Sequence, residues 1–274
     1  MLTLDVLIAT FKPEGIRRVE AMDLPVVDGV RYVVSWQNHD DAPVPASLAS
    51  RSDVVVSRLA LSGLSYNRNN AFDVSTADIR LIADDDLRYS AESLNAVRRV
   101  FEQNPDLDYA SFMFDGECRK TYPTAECDLR ERLPKNFYQT AFEVAVRNRG
   151  LASKLRFHTD FGINSPTFHA GEDEIFLLTA RKLQLNCRFF PIVITTHKGL
   201  TTGLRKITDP CILRAFGAII YFNTPLTCLP RIVLKALRLS AAGQSGFFTS
   251  LVEMLRGLVI AATRITPPWK EVGQ

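Results

Sequence analysis

Three aspartates stand side by side in "IRLIADDDLRYS", at Asp84, Asp85 and Asp86, directly after a short apolar run. Adjacent carboxylates repel one another, so they either form a solvated turn or hold something positive. Carboxylate oxygens are hard ligands and suit Mg2+ or Mn2+ better than zinc. A calcium EF-hand does not fit, because "DDDLRYSAESLN" puts Arg88 at a ligand position and lacks the central glycine. An acidic turn capping the next helix also accounts for the cluster on its own. Three further signals carry chemistry. "GLSYNRNNA" offers Arg68, which can pair with phosphate, and Asn69, which can bond a nucleotide or hold the loop. "GEDE" offers Glu172 and Asp173, either as an acidic helix start or as a carboxylate placed to take a proton from a hydroxyl. His197 closes a late apolar run, and a histidine at a strand end near carboxylates can ligate a metal.

The elements that must position these groups follow from patterning. "LDVLIAT" (residues 4–10) is a continuous apolar run, the mark of a strand buried on both faces. "FKPEG" ends it, and "GIRRVEAM" has helical character. "RYVVSW" is a second strand, and "DVVVS" a third β-branched run after a loop with Pro43 and Pro45. "SYNRNNAFDVSTA" can form a helix, and "IRLIA" is the strand that ends at the aspartates. Ser90 is the expected N-cap of a helix whose apolar face is Leu94, Val97, Val100 and Phe101. Strands alternating with helices imply an α/β domain with a mostly parallel sheet, in which ligands lie beyond the carboxyl ends of the strands. The loops after Thr10, after Trp36 and around the aspartates are therefore expected to converge on one cleft. Further along, "DYASFMFDG" reads as a strand and "NFYQTAFEVAVRNRG" as a helix stopped by Gly150. "GEDEIFLLTARKL" reads as a helix with acids first and bases last, matching its dipole. "CRFFPIVITTHKG" gives one more strand, ending at His197.

Composition bounds the rest. At 274 residues, with 46% apolar and 23% charged, the chain fits one large domain or a domain with an appendage. A net charge of +3 gives no footprint for nucleic acid. Five cysteines, Cys118, Cys127, Cys187, Cys211 and Cys228, show no CxxC spacing. A reduced, cytosolic setting without zinc site or disulfide framework is the simpler reading. Asp5 and the lack of a basic n-region make the N-terminus a buried strand and not a signal peptide. No apolar stretch approaches the roughly 20 residues of a membrane-spanning helix. From Thr208 onward apolar runs alternate with Arg and Lys, and between Cys211 and Thr266 the only acid is Glu253. Such a segment can lie on an anionic membrane surface, here the inner face of the cell membrane. A helical pair packed on the domain's flank is the other reading. The expected division is residues 1–207 and a helical segment 208–274.

The order of "VLIAT", "GLSYNRNNA", "LIADDD", "GEDE" and "THKG" resembles the family 2 glycosyltransferases of GT-A fold, over residues 2–203. It looks most like those of bacterial surface-polysaccharide assembly. The resemblance implies a GT-A-like α/β domain and transfer of a sugar from a nucleotide-sugar donor to a saccharide or lipid-linked acceptor, with inversion. It makes Asp84 and Asp86 the Asp-x-Asp pair, with Asp86 the direct ligand of Mn2+ or Mg2+ and Asp84 or Asp85 reaching the ribose or metal. Asp85 is the acid it makes least important to the metal. Asp173 becomes the general base, with Glu172 its substitute. Thr10, Arg68 and Asn69 hold the nucleotide, and His197 completes the metal shell. Members commonly carry an aspartate at the end of the second strand that recognises uracil. Here Ser35 stands in that position with Gln37 nearby; either can still hydrogen-bond a base edge and both are taken as nucleotide-binding, but UDP is not assured and the base stays open. Two rivals remain: a sugar nucleotidyltransferase, for which "ATFKPEG" is a poor loop, and a degenerate, non-catalytic domain serving as a partner in a membrane assembly.

Overall fold

The computed structural model describes residues 1–116, 120–130, 133–135, 137–197, 207 and 209–272. Cys118 and the Lys198 and Gly199 of "THKG" lie outside them. Chain contacts divide it into two compact units. The first comprises Met1–Ser62, Tyr66–Arg156 and Ala180–Leu200, and the second Gly63–Ser65, Phe157–Thr179 and Thr201–Gln274.

The first unit is built on one nine-stranded sheet. Its early strands are the continuous apolar runs: β1 (Leu4–Phe11), β2 (Val30–Gln37), β3 (Val54–Leu59) and β4 (Ile79–Asp84). β1 lies between β2 and β4, β3 flanks β2, and all three pairings are parallel. The register sets Ala9 opposite both Ser35 and Asp84, so the carboxyl ends of β1, β2 and β4 align. The remaining strands are β5 (Leu87–Arg88), β6 (Tyr109–Gly116), β7 (Cys127–Asp128), β8 (Val144–Arg147) and β9 (Cys187–His197). Beyond β4 the sheet continues β8, β6, β9, β5, with β7 also on β9. The long β6–β9 pairing is again parallel, while β8 runs antiparallel to both β4 and β6.

Helices α1 (Lys12–Glu20), α2 (Ala46–Ala49) and α3 (Leu64–Val74) connect the early strands, and α4 (Ala91–Gln103) leads from β5 to β6. Ser90 caps α4 as expected, in a reciprocal box with Ser93, and Leu94, Val97, Val100 and Phe101 are buried. Two expectations fail. β1 ends within "FKPEG" as expected, but α1 begins at Lys12 and not at Gly15, because Pro13 fits the first turn, where no N–H is needed. "NFYQTAFEVAVRNRG" is not a helix. Ala141–Glu143 form one 3-10 turn and Val144–Arg147 form β8, buried between two strands. With both faces covered, the two-residue alternation that marks a strand is absent, and the helix-forming Ala and Glu mislead.

Asp5 anchors this sheet. Fully buried in β1, its carboxylate accepts two bonds from Arg31, at 2.9 and 2.8 Å, and one from Ser75 Oγ at 2.8 Å. The backbone N–H groups of Thr76 and Ala77 add two more. Burial raises its pKa, but the bonds from Arg31, Ser75 and Ala77 outweigh burial and the net direction is down.

In the second unit the long helices are α6 (Pro210–Asn223), α7 (Cys228–Ala241) and α8 (Phe247–Arg264), followed by the short α9 (Pro268–Val272). α5 (Glu172–Lys182) starts in this unit. Phe161, Phe168, Ile175 and Phe222 form one core, and Leu213, Ile232, Leu239 and Met254 another. α6 and α8 meet at backbone distance: a Cβ on Gly217 would lie 1.9 Å from Met254 O, and one on Gly257 1.9 Å from Arg214 O. Among the described residues no single helix is long and apolar enough to cross a membrane. The bent pair Pro210–Asn223 and Pro225–Ala241, at 120°, has the length and composition to do so.

Two outcomes test these packings. Gly217→Ala loses about 2 to 3 kcal/mol of stability, since main chain and not a flexible side chain must yield, and thermal denaturation measures it. Asp5→Asn loses about 2 to 3 kcal/mol at neutral pH. Because the folded pKa of Asp5 lies below its unfolded value of about 3.9, its contribution is present above that pH and fades as pH falls through the folded value. Urea midpoints of the two proteins should therefore converge in acid.

Candidate active site

The three aspartates leave the carboxyl end of β4 and diverge. Asp84 Oδ1 accepts from Arg68 Nη2 at 3.0 Å, and Arg68 is buried on α3. Asp85 turns toward β1 and α1. Thr10 Oγ1 donates to its Oδ2 at 2.5 Å, and Arg18 grips both oxygens, Nε to Oδ1 at 2.9 Å and Nη2 to Oδ2 at 2.8 Å. Asp86 faces β9, where His197 Nε2 lies 3.2 Å from its Oδ2. Exposure separates them: the Asp85 side chain is 12% exposed, Asp84 34% and Asp86 48%. Burial pushes the Asp85 pKa upward, Arg18 and Thr10 pull it back, and the net direction is up.

The surrounding elements fix these partners. Asn67 Nδ2 donates to Thr10 O at 2.8 Å, tying α3 to the end of β1. Lys12 holds a left-handed φ of 65° where β1 becomes α1, and Trp36 Nε1 donates to its carbonyl at 2.8 Å. Gly15 has no room for a side chain, since a Cβ there would lie 2.2 Å from Thr10 Oγ1 and 3.2 Å from Asp85 Oδ2. His197 stacks on Phe142 and meets Phe114 edge-on, which sets its ring plane. Its Nδ1 is buried without a hydrogen-bond partner among the described residues.

Thr10, Arg68, Asp84, Asp85, Asp86 and His197 thus form linked pairs in the first unit. Ser35 and Gln37 are buried in β2. Ser35 Oγ accepts from Asn70 Nδ2 at 2.8 Å, and Gln37 Nε2 donates to Leu61 O. Asn69 is half-buried on α3. Glu172 and Asp173 occupy the first turn of α5, in the second unit, and are half-buried there.

Sequence reasoning missed Gly15, Arg18 and Asn67. The signal for Arg18 was present as an arginine one turn into the helix after the first strand, but a basic residue on a helix surface is ordinary. It also missed a set in the second unit. His169, Asp209 and Cys211 are the one group among the described residues whose three potential ligand atoms lie within 4.8 Å of one another. Asp209 caps α6, its Oδ1 accepting from Cys211 N at 2.8 Å, and its Oδ2 lies 2.5 Å from His169 Nδ1. One carboxylate oxygen thus closes the first turn of that helix and the other holds His169.

Two carboxylates and an imidazole are a donor set that suits Mn2+ or Mg2+. Asp86 and His197 already face each other with Asp86 half open to solvent, and that pair fits a cation. Asp84 is engaged by Arg68, so the three do not form a closed set as they stand.

No family model matches the chain, and no curated protein matches it. Solved structures do. The chain is similar to S. aureus TarS 1–349 in complex with UDP, at 16% identity and a TM-score of 0.55, over 80% of this chain and 66% of that one. It is similar to the same protein in complex with UDP-GlcNAc, at 15% identity and 0.55, over 80% and 67%. Against TarS 1–349 alone the figures are 13%, 0.56, 92% and 90%. The chain spans about two thirds of the UDP-bound chains it matches.

Removing Arg18 isolates a buried carboxylate. Arg18→Met should destabilise the protein more at neutral pH than in acid. Without Arg18 the folded pKa of Asp85 rises further, so ionising it costs stability as pH rises through that value. Denaturant midpoints from about pH 4 to 8 check this, with the gap to the parent protein widening upward.

These likenesses are of fold: the central, mostly parallel sheet, its flanking helices and the C-terminal helical region make a GT-A-like α/β architecture.

Proposed function

We propose that the chain is a glycosyltransferase. It moves a sugar from a nucleoside diphosphate sugar to a hydroxyl of a saccharide or lipid-linked saccharide, with inversion, in the assembly of a cell-surface polysaccharide. The observation that carries the reading is the pairing of Asp86 with His197 and of Asp84 with Arg68 at the carboxyl end of β4. It is supported by a fold shared with a protein solved with UDP and with UDP-GlcNAc.

In this reading Asp86 and His197 hold Mn2+ or Mg2+, with Asp84 the further carboxylate available to it. What the cation supplies when bound is Lewis-acid compensation of the charge on the leaving diphosphate. Arg68 offers a buried guanidinium, a group whose fork matches phosphate oxygens as well as carboxylate. Asp85, gripped by Arg18 and Thr10, keeps the end of β4 fixed to β1 and α1. Asp173, or in its place Glu172, accepts the proton of the acceptor hydroxyl. The hydroxyl oxygen forms its bond to the anomeric carbon as the bond to the diphosphate oxygen breaks, which inverts that carbon. A helix N-terminus favours negative charge at this position. Ser35 and Gln37, buried in β2, fix no preference for uracil, so the donor base stays open.

One observation favours a second reading, a domain that binds nucleotide sugars without turning them over. Ser35 stands where an aspartate commonly recognises the base, and it is fully buried. Transfer or Mn2+-dependent hydrolysis, together with calorimetric binding, across a panel of nucleotide sugars separates the two. Asp173→Asn should lower turnover about a thousandfold and leave binding near normal. Asp86→Asn should abolish the turnover that added Mn2+ supports. Binding without turnover in the parent protein favours the second reading, and neither binding nor turnover on any donor sinks both.

A further inference from the structure

We infer that the outer face of α7, with the turn before it and the start of α8, docks on an anionic lipid bilayer. Large apolar side chains there point into solvent. Leu226, in the Pro225–Thr227 turn, is 99% exposed, and Phe248 at the start of α8 is 78% exposed. Leu229, Val233, Leu234 and Leu237 extend this surface along α7. Spacings of three and four residues put Leu229, Val233 and Leu237 on one stripe, with Arg231 and Arg238 on a stripe beside Leu234. The inner side of the same helix, Ile232, Ala236 and Leu239, is buried in the unit's own core.

Charge decides what covers this face. Arg231, Arg238, Arg256 and Arg264 are exposed on α7 and α8. The two helices contain a single acid, Glu253, and it is buried between Arg214 and Arg256. The face is therefore apolar and positive, with no exposed carboxylate on either helix; Glu174 of α5 is exposed, and its charge acts on Lys235 of α7. A second copy of the chain brings the same bases to the contact and no exposed acid from either helix to meet them. An anionic bilayer supplies both complements, an acyl boundary for the leucines and phenylalanine and phosphates for the arginines.

The surface lies on the bilayer and does not cross it. The bent α6–α7 pair has the length and composition of a span, yet Leu213, Ala218 and Phe222 of α6 are buried inside the unit. Those residues cannot face lipid while the core is intact. This placement goes beyond sugar transfer and does not depend on it.

Sedimentation of the full chain with vesicles tests the inference without any donor present. Binding is expected to vesicles of phosphatidylcholine mixed with phosphatidylglycerol and to be far weaker to phosphatidylcholine alone. Raised salt should lower it. Arg231→Gln with Arg238→Gln should lower the partition coefficient about thirtyfold. Leu226→Glu with Phe248→Glu should abolish binding, and because these side chains are exposed, circular dichroism should show the fold unchanged. Failure to sediment with any vesicle overturns the inference. So does a stable dimer that the Leu226→Glu and Phe248→Glu changes dissociate, since the face would then be covered by a second copy.

Discussion

Three carboxylates on consecutive residues repel one another, and the first unit is arranged around how that repulsion is met. Two such charges about 4 Å apart, at the effective dielectric of a protein surface, oppose each other by about 4 kcal/mol. No single cation answers all three. Arg68 on α3 takes Asp84, Arg18 and Thr10 take Asp85, and His197 at the end of β9 takes Asp86. These partners come from segments far apart in the chain, so the cluster exists only once the parallel register of β1 and β4 has formed. The acids consequently report on the sheet order, and the sheet order sorts the acids.

That sorting separates structural from chemical charge. Asp5 and Asp85 are both withdrawn from water and held by arginine, one in the body of β1 and one beyond the end of β4. The energetic cost of burying each is met by several donors at once, as a buried carboxylate requires. Asp84 and Asp86 keep water on one side. A ligand can compete for them at modest cost, whereas reaching Asp85 means dismantling the Arg18 fork and the Thr10 bond.

The sequence was most legible where a single local rule governed. β1, β2 and β4 are short, continuously apolar and bounded by polar residues, and α4 carries its own cap and face. β8 was illegible because it is short and its character comes from the strands on either side of it, while Ala141, Glu143 and Ala145 around its valines favour a helix. In the site, the residue types at Asp84, Asp86, Arg68 and His197 were readable, but their pairing was not. Arg18 makes the point: its role depends on Gly15 leaving space for Thr10 and Asp85 to meet, a three-dimensional condition. His169 and Asp209 likewise meet across forty residues of chain. Ser35 stands in sequence as a group able to bond a base edge, and its engagement by Asn70 emerges only from the packing of α3 over β2.

The glycine crossing of α6 and α8 has a consequence for how such a chain can change over generations. Where two helices touch main chain to main chain at Gly217 and Gly257, no side chain is present to absorb an error in spacing. A lineage can exchange leucine for valine or phenylalanine on the outer faces freely, because nothing inside registers the difference. It has almost no freedom at these two glycines. Distant relatives of the helical unit should therefore be recognisable by a pair of small residues at a fixed crossing, long after the rest of the sequence has drifted beyond alignment.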